Sequence, residues 1–286
     1  MFDRILVPLD GSALSEAVLP QIRRFLRLED CEVVLARAAE IVAVEPFPGL
    51  FEAALQEART YLAGIERRLS DQGVRVRSVA DLGRPADFIL RCAEKEGASL
   101  IALATHGRRG VSRALSGSVA EEVLRRSPAP VFAVRPGPED LAPKTEARPI
   151  RTILVPLDGG DGSSHAMSPA IGLARHFNAR LVVLHVLVPE HGARAPSAKF
   201  RLDEACDQAH RQGVRTLCLI ERGDPAKAIL ETGRFHGADL IAMATHGRTG
   251  IRRLLSGSVT ESVLRQASVP VLVMRSGSGA EQRGVA

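Results

Sequence analysis

Apolar positions in this chain fall into short runs separated by longer segments of helical period. In the first half, the runs at 5–9, 32–36, 74–79, 100–103 and 131–134 are short and apolar in character, and they read as strands buried on both faces. Between them, 14–28, 51–69, 85–96 and 119–126 carry apolar residues at three- and four-residue spacing and predict helices. The second half predicts strands at 153–157, 181–186, 214–220, 240–243 and 271–274 in the same order. Strict alternation of strand and helix predicts an α/β fold, a doubly wound five-stranded parallel sheet in each half, with right-handed crossovers. In such a sheet ligands bind outside the carboxyl ends of the strands, where the strand order reverses.

The two halves are one domain written twice. Ile5-Leu6-Val7-Pro8-Leu9-Asp10-Gly11 returns as Ile153-Leu154-Val155-Pro156-Leu157-Asp158-Gly159, and Gly83-x-Pro85-Ala86 returns as Gly223-x-Pro225-Ala226. The longest repeat runs from Ala104 to Val119 and again from Ala244 to Val259, with its glycines, histidine, arginine and Gly-Ser pair at identical spacing. The distance between equivalent residues falls from 148 at Asp10 and Asp158 to 140 at Gly107 and Gly247, which predicts a shorter helix after the second strand of the second half. Domains are expected at 1–136 and 150–276, a proline-rich linker at 137–149 and a disordered tail at 277–286.

Composition narrows the function classes. No apolar run approaches the roughly 20 residues of a membrane helix, and the N-terminus is strand-like rather than a cleavable signal, so a cytoplasmic protein without membrane contact is expected. The formal charge of +5 is spread without a basic run and aromatic residues are only 3%, which argues against nucleic acid and leaves a phosphate-bearing small molecule. Four cysteines form no C-x-x-C pair and do not match between the halves, so they read as small buried apolar residues and indicate neither zinc nor a disulfide framework.

The chemistry is concentrated in the long repeat. Gly107 and Gly110 let the chain turn sharply with amides pointing inward, and Gly117-Ser118 opens a helix whose first amides lack partners, a suitable cradle for phosphate. Ser118-x-x-Glu121 and Ser258-x-x-Glu261 are also capping boxes, so each serine serves either the helix start or a ligand. Arg108 and Arg248 are phosphate contacts or solvated charges. His106 and His246 have no histidine, cysteine or carboxylate recurring beside them at metal or triad spacing, and no G-x-x-x-x-G-K-[ST] string occurs.

These residues resemble the universal stress protein family in its tandem, two-domain form. Its nucleotide-binding branch carries G-x2-G-x9-G-[ST]; here the pattern reads Ala104-x2-Gly107-x9-Gly117-Ser118 and Ala244-x2-Gly247-x9-Gly257-Ser258, with alanine for the first glycine in both copies. Because Ala104 and Ala244 each follow an apolar strand, ordinary strand geometry is expected there and the extra methyl is tolerated.

The resemblance implies a Rossmann-like fold of the adenine nucleotide alpha hydrolase type, and ATP or a related adenine nucleotide as ligand, with magnesium carried on its phosphates. It implies contacts from Pro8, Asp10, Ala38, Leu103 and Val119, and from Pro156, Asp158, Val186, Met243 and Val259. Asp10 and Asp158 are equally readable as turn aspartates beside Gly11 and Gly159. It also implies an intramolecular pseudo-dimer of the two domains through the apolar strands at 131–134 and 271–274, allows a dimer of chains, and points to stress sensing or signalling without catalysis. A protein of the same fold that interacts with partners and binds no nucleotide is the alternative.

Overall fold

The computed structural model describes residues 2–26, 31–40, 48–105, 118–137, 149–157, 164–188, 195–245 and 259–275, and the chain divides into two units, Met1–Arg148 and Pro149–Ala286. The first unit runs β1 (Arg4–Pro8), α1 (Ala13–Glu16), α2 (Val18–Ile22), β2 (Glu32–Ala39), α3 (Pro48–Ser70), β3 (Arg75–Leu82), α4 (Pro85–Glu96), β4 (Leu100–Ala104), α5 (Ser118–Arg126) and β5 (Val131–Val134). Its strands lie in the order β3-β2-β1-β4-β5 and every pair among them is parallel. This is the doubly wound arrangement expected from the alternating pattern.

Central strands are apolar because both faces are covered. Ile5, Leu6 and Val7 on β1, Val33 to Ala36 on β2 and Leu100 to Ala102 on β4 are fully buried. Phe25 packs edge-on against Phe2 and Phe132, with ring centroids 5.7 and 5.1 Å apart, an aromatic cluster in the core. β3, at the end of the strand order, is only half-buried and carries Arg75, Arg77 and Asp81, charges that discourage further strand pairing.

The second unit repeats the order with β6 (Thr152–Leu157), α6 (Ser164–Phe177), β7 (Arg180–Leu187), α7 (Ala195–Arg211), β8 (Thr216–Arg222), α8 (Pro225–Phe235), β9 (Leu240–Thr245), α9 (Val259–Gln266) and β10 (Val271–Arg275). Its strands are ordered β8-β7-β6-β9-β10, again parallel within the unit. α7 has 17 residues against 23 for α3, the shortening that the repeat spacing predicts.

β3 and β8 are only partly buried rather than covered on both faces as expected, because each ends the strand order of its unit, and two further features differ from the sequence expectation. The single helix expected at 14–28 is broken into α1 and α2 around Ala17. Pro20 has no N–H to give the Glu16 carbonyl and its ring crowds that carbonyl, so the helix cannot continue through this point unbent. The cysteines also divide. Cys31 and Cys92 are buried thiols as expected, whereas Cys206 on α7 and Cys218 on β8 are joined in a disulfide, their Cα atoms 6.5 Å apart. α7 packs across β7 and β8, so residues separated by a helix end and a turn are brought together; no cysteine spacing motif marks such a contact.

Candidate functional site

The site begins as a gap in the sheet. β1 is paired with β2 as far as Pro8 and Ala36, and β4 with β5 as far as Ala104 and Val134, but β1 and β4 are paired only at Ile5–Leu100 and Leu6–Ile101. Along β1, the N–H of Arg4 points to the β4 side, to the Ser99 hydroxyl, while that of Leu9 points to the β2 side, to the Ala36 carbonyl. By this alternation Leu6, the last residue of β1 paired with β4, and then Pro8 face β4, and proline has no N–H to continue the ladder. The ladder ends there and the two strands part at their carboxyl ends, at the point where strand order reverses.

The second unit opens in the same way. β6 and β9 are paired only at Ile153–Leu240 and Leu154–Ile241, while β6–β7 pairing continues to Leu157 and His185 and β9–β10 pairing to Thr245 and Arg275. Pro156 occupies the position of Pro8.

Small and apolar residues surround each opening. Ala38 stands near the end of β2, and Leu103 and Ala104 end β4; their counterparts are Val186 on β7 and Met243 and Ala244 on β9. Asn178 is the one non-glycine residue with positive φ among the described residues, so Ala104 and Ala244 have the strand geometry expected of them and their methyl groups cause no backbone strain. Val119 follows the first residue of α5, and Val259, the first residue of α9, is 36% exposed.

Asp10 lies just past β1 and is exposed. Its Oδ1 accepts from the Ser12 amide at 2.8 Å and the Ser12 hydroxyl at 2.6 Å, and Ser12 in turn caps α1 through the Ser15 amide at 3.1 Å. The turn reading of Asp10 is therefore realised in the structure, with the carboxylate held in the turn that follows β1. Gly11 has φ of +91°, and a Cβ there would sit 3.3 Å from the Arg37 guanidinium.

Arg37 was not among the residues picked out from the sequence. It lies one residue before Ala38, is 17% exposed, and packs beneath the Asp10–Gly11 turn. Its guanidinium bonds Glu57 at 3.0 Å and lies over the Tyr61 ring, 4.8 Å from the centroid. Tyr61 donates to Glu16, whose other oxygen takes Arg68 at 2.6 Å; burial and the Glu16 carboxylate together push the Tyr61 hydroxyl far above its ordinary range. In the second unit this position is His185, buried, with Nδ1 3.0 Å from the Leu157 carbonyl; a carbonyl only accepts, so Nδ1 donates. The only sequence signal for either residue is its place next to the end of the second strand.

Gly107, Arg108 and Gly117, Asp158, and Gly247, Arg248, Gly257 and Ser258 lie outside the described residues, as do His106 and His246. Ser118 begins α5. The segments that contain these glycines join β4 to α5 and β9 to α9, so they connect to the sheet on the side where each gap opens. A separate groove of about 370 Å³ is lined by Asp87, Leu90, Arg91, Glu94, Arg126 and Pro128 from α4, α5 and the residues after α5. It includes no strand-end residue, and its Arg126 is bonded to Asp87 and Glu122.

The family model described as "Universal stress protein family" matches residues 1–135 and 149–275. The chain belongs to the universal stress protein family. It is a tandem universal stress protein, one family segment in each unit. The universal stress protein MJ0531 of Methanocaldococcus jannaschii is 32% identical over 139 residues, 44% of this chain and 82% of that protein. A universal stress protein of Mycolicibacterium smegmatis is 26% identical over 292 residues, covering 95% of this chain and 96% of its own length. The crystal structure of a universal stress protein from Archaeoglobus fulgidus shares the fold, with a TM-score of 0.80 at 23% identity over 97% of this chain and all of that one. Among the described residues no helix is long and apolar enough to cross a membrane, and no group of three or more His, Cys, Asp or Glu is placed to hold a metal ion.

Proposed function

We propose that this universal stress protein binds ATP or a related adenine nucleotide at the carboxyl ends of the strands, in one or both units, and acts in stress sensing or signalling. The observation that carries the reading is the gap at Pro8 and again at Pro156, each bordered by a strand that a copy of the repeated glycine segment follows in sequence. Ala38, Leu103 and Ala104 in the first unit, and Val186, Met243 and Ala244 in the second, are the proposed apolar surroundings of the base. Amides near Gly107, Gly117 and Ser118, and near Gly247, Gly257 and Ser258, are the proposed phosphate donors, supplemented by Arg108 and Arg248. Asp10 and Asp158 are proposed to face the adenosine part, and Val119 and Val259 to line the site beside the serines.

Three or four charge-assisted hydrogen bonds of about 1.5–3 kcal/mol each, offset by association costs, correspond to a dissociation constant roughly in the micromolar range. Magnesium accompanies the phosphates in this reading, without protein ligands of its own. The proposal assigns no catalytic residue and at most very slow hydrolysis. Two family segments in one chain fit an intramolecular pseudo-dimer; a dimer of chains is proposed beyond it, and a sedimentation mass equal to one chain would remove that part.

Equilibrium binding of labelled ATP to nucleotide-stripped protein tests the proposal. Saturable binding is expected in the wild type and at least about a hundredfold weaker binding in Gly117→Asp/Gly257→Asp, where negative charge is set against phosphate. Unchanged affinity in that variant overturns the placement. No saturable signal at millimolar ATP overturns nucleotide binding and leaves the interaction protein.

A further inference from the structure

Cys206 and Cys218 stand where the first unit has a different contact. The chain reversals after α3 and α7 match: Gly73 and Gly213 both have positive φ, and the amides of Val74 and Val214 bond the carbonyls of Leu69 and Ala209. The strand registers agree, since Val76 pairs with Val33 and Thr216 with Leu181. On this correspondence Cys206 replaces Glu66 and Cys218 replaces Ser78. In the first unit the Ser78 hydroxyl donates to the Glu66 carboxylate at 2.5 Å, tying α3 to β3. In the second unit the same helix-to-strand tie is a disulfide between α7 and β8.

We propose that Cys206–Cys218 is a reversible two-electron thiol–disulfide site, and that its redox state sets how firmly α7 is held on β8. Cys206 is 4% exposed whereas Cys218, on the strand at the end of the sheet order, is only half-buried. Attack therefore comes at the Cys218 sulfur. A thiolate of a small dithiol forms a mixed disulfide with Cys218, the S–S bond breaks, and Cys206 leaves as a thiolate and takes a proton. The second thiol of the reductant then displaces Cys218, giving two protein thiols and the oxidised dithiol.

Reoxidation uses a hydroperoxide. The Cys218 thiolate attacks its terminal oxygen, releasing water from hydrogen peroxide and leaving a sulfenic acid; Cys206 displaces the hydroxyl as a second water and the disulfide closes. Cys31 and Cys92 do not compete, since burial pushes both thiols up to about 11 and keeps them protonated at neutral pH. The site has no counterpart in the first unit, where a serine and a glutamate give a tie that does not respond to redox conditions.

Mass spectrometry after denaturing alkylation is expected to show two modified cysteines in protein treated with hydrogen peroxide and four after dithiothreitol. Hydrogen exchange of the native protein is expected to quicken by about tenfold or more in peptides from α7 and β8 after reduction, with α3 and β3 unchanged. The Cys206→Glu/Cys218→Ser variant, which installs the first unit's pair, is expected to keep slow exchange in both conditions. Four alkylations after peroxide, or equal exchange in α7 and β8 of oxidised and reduced wild type, overturns the proposal; the wild-type comparison needs no variant to fold.

Discussion

Arg4 reaches from β1 to the Glu96 carbonyl at the end of α4; in the second unit the matching carbonyl, on His236, is taken at 2.8 Å by Arg180 from β7. The same helix end is secured by the same kind of side chain from the neighbouring strand. Around it the charges are exchanged. Glu32 on β2 receives Arg4 at 2.7 Å and Arg77 at 3.0 Å, and Arg77 also pairs with Glu96, whereas the second unit has Arg180 against the Thr152 hydroxyl and an exposed Leu217 at the position of Arg77. The units thus share a main-chain path, and the side chains that brace it are interchangeable. What is kept is the set of contacts made by backbone geometry: the glycine reversals, Pro85 and Pro225 at the starts of α4 and α8, and the gap beside the prolines.

The helix-to-strand ties give the largest test of this interchangeability. Removing the disulfide with Cys206→Ala/Cys218→Ala is expected to cost about 3 kcal/mol under oxidising conditions, the loop-closure value for a link of this sequence separation. Ser78→Ala, which removes the matching hydrogen bond to a carboxylate, is expected to cost less, roughly 1–2 kcal/mol. Urea unfolding of both variants measures the two. A larger loss for Ser78→Ala would show that the ties are not equivalent supports.

A smaller effect separates the units by pH. Burial raises the Glu32 carboxyl, but the hydrogen bonds from Arg4 and Arg77 outweigh it and hold the group below its ordinary value near 4.5. A lowered folded-state value means that this contribution is present above about pH 4.5 and is lost as pH falls through the lowered value. Wild type is therefore expected to exceed Glu32→Gln by under about 1 kcal/mol at neutral pH, with the gap closing on acidification. Arg180→Gln in the second unit should show a gap that is flat over the same range, because its partners are a hydroxyl and a carbonyl. Urea midpoints across the pH series decide; a pH-independent gap for Glu32→Gln would refute the assignment.

The periodic features were legible in the sequence because they repeat locally. Short apolar runs such as 100–103 became β4, and Pro85 marked the first turn of α4. The place of the opening followed from the rule that ligands bind where strand order reverses, but its cause, the missing N–H of Pro8 and Pro156, was not read from the sequence. Arg37 and His185 were not legible, because their role depends on which turn lies against the second strand, a relation between residues far apart in sequence. The disulfide escaped for the same reason: Cys206 and Cys218 meet only because α7 packs over β8. The break at Ala17 was hidden by a periodicity that runs on through Pro20 without registering its missing donor.

The early end of pairing between β1 and β4 has a consequence for how this protein tolerates mutational drift. A cleft made by removing side chains can be refilled by one larger side chain. Here the separation arises because an imide nitrogen carries no hydrogen, so exchanges among neighbouring side chains leave its cause intact. Alanine and valine at 38 and 186, or leucine and methionine at 103 and 243, alter the lining while the parted strands remain. Two copies in one chain are thus free to diverge in their lining without either losing the gap.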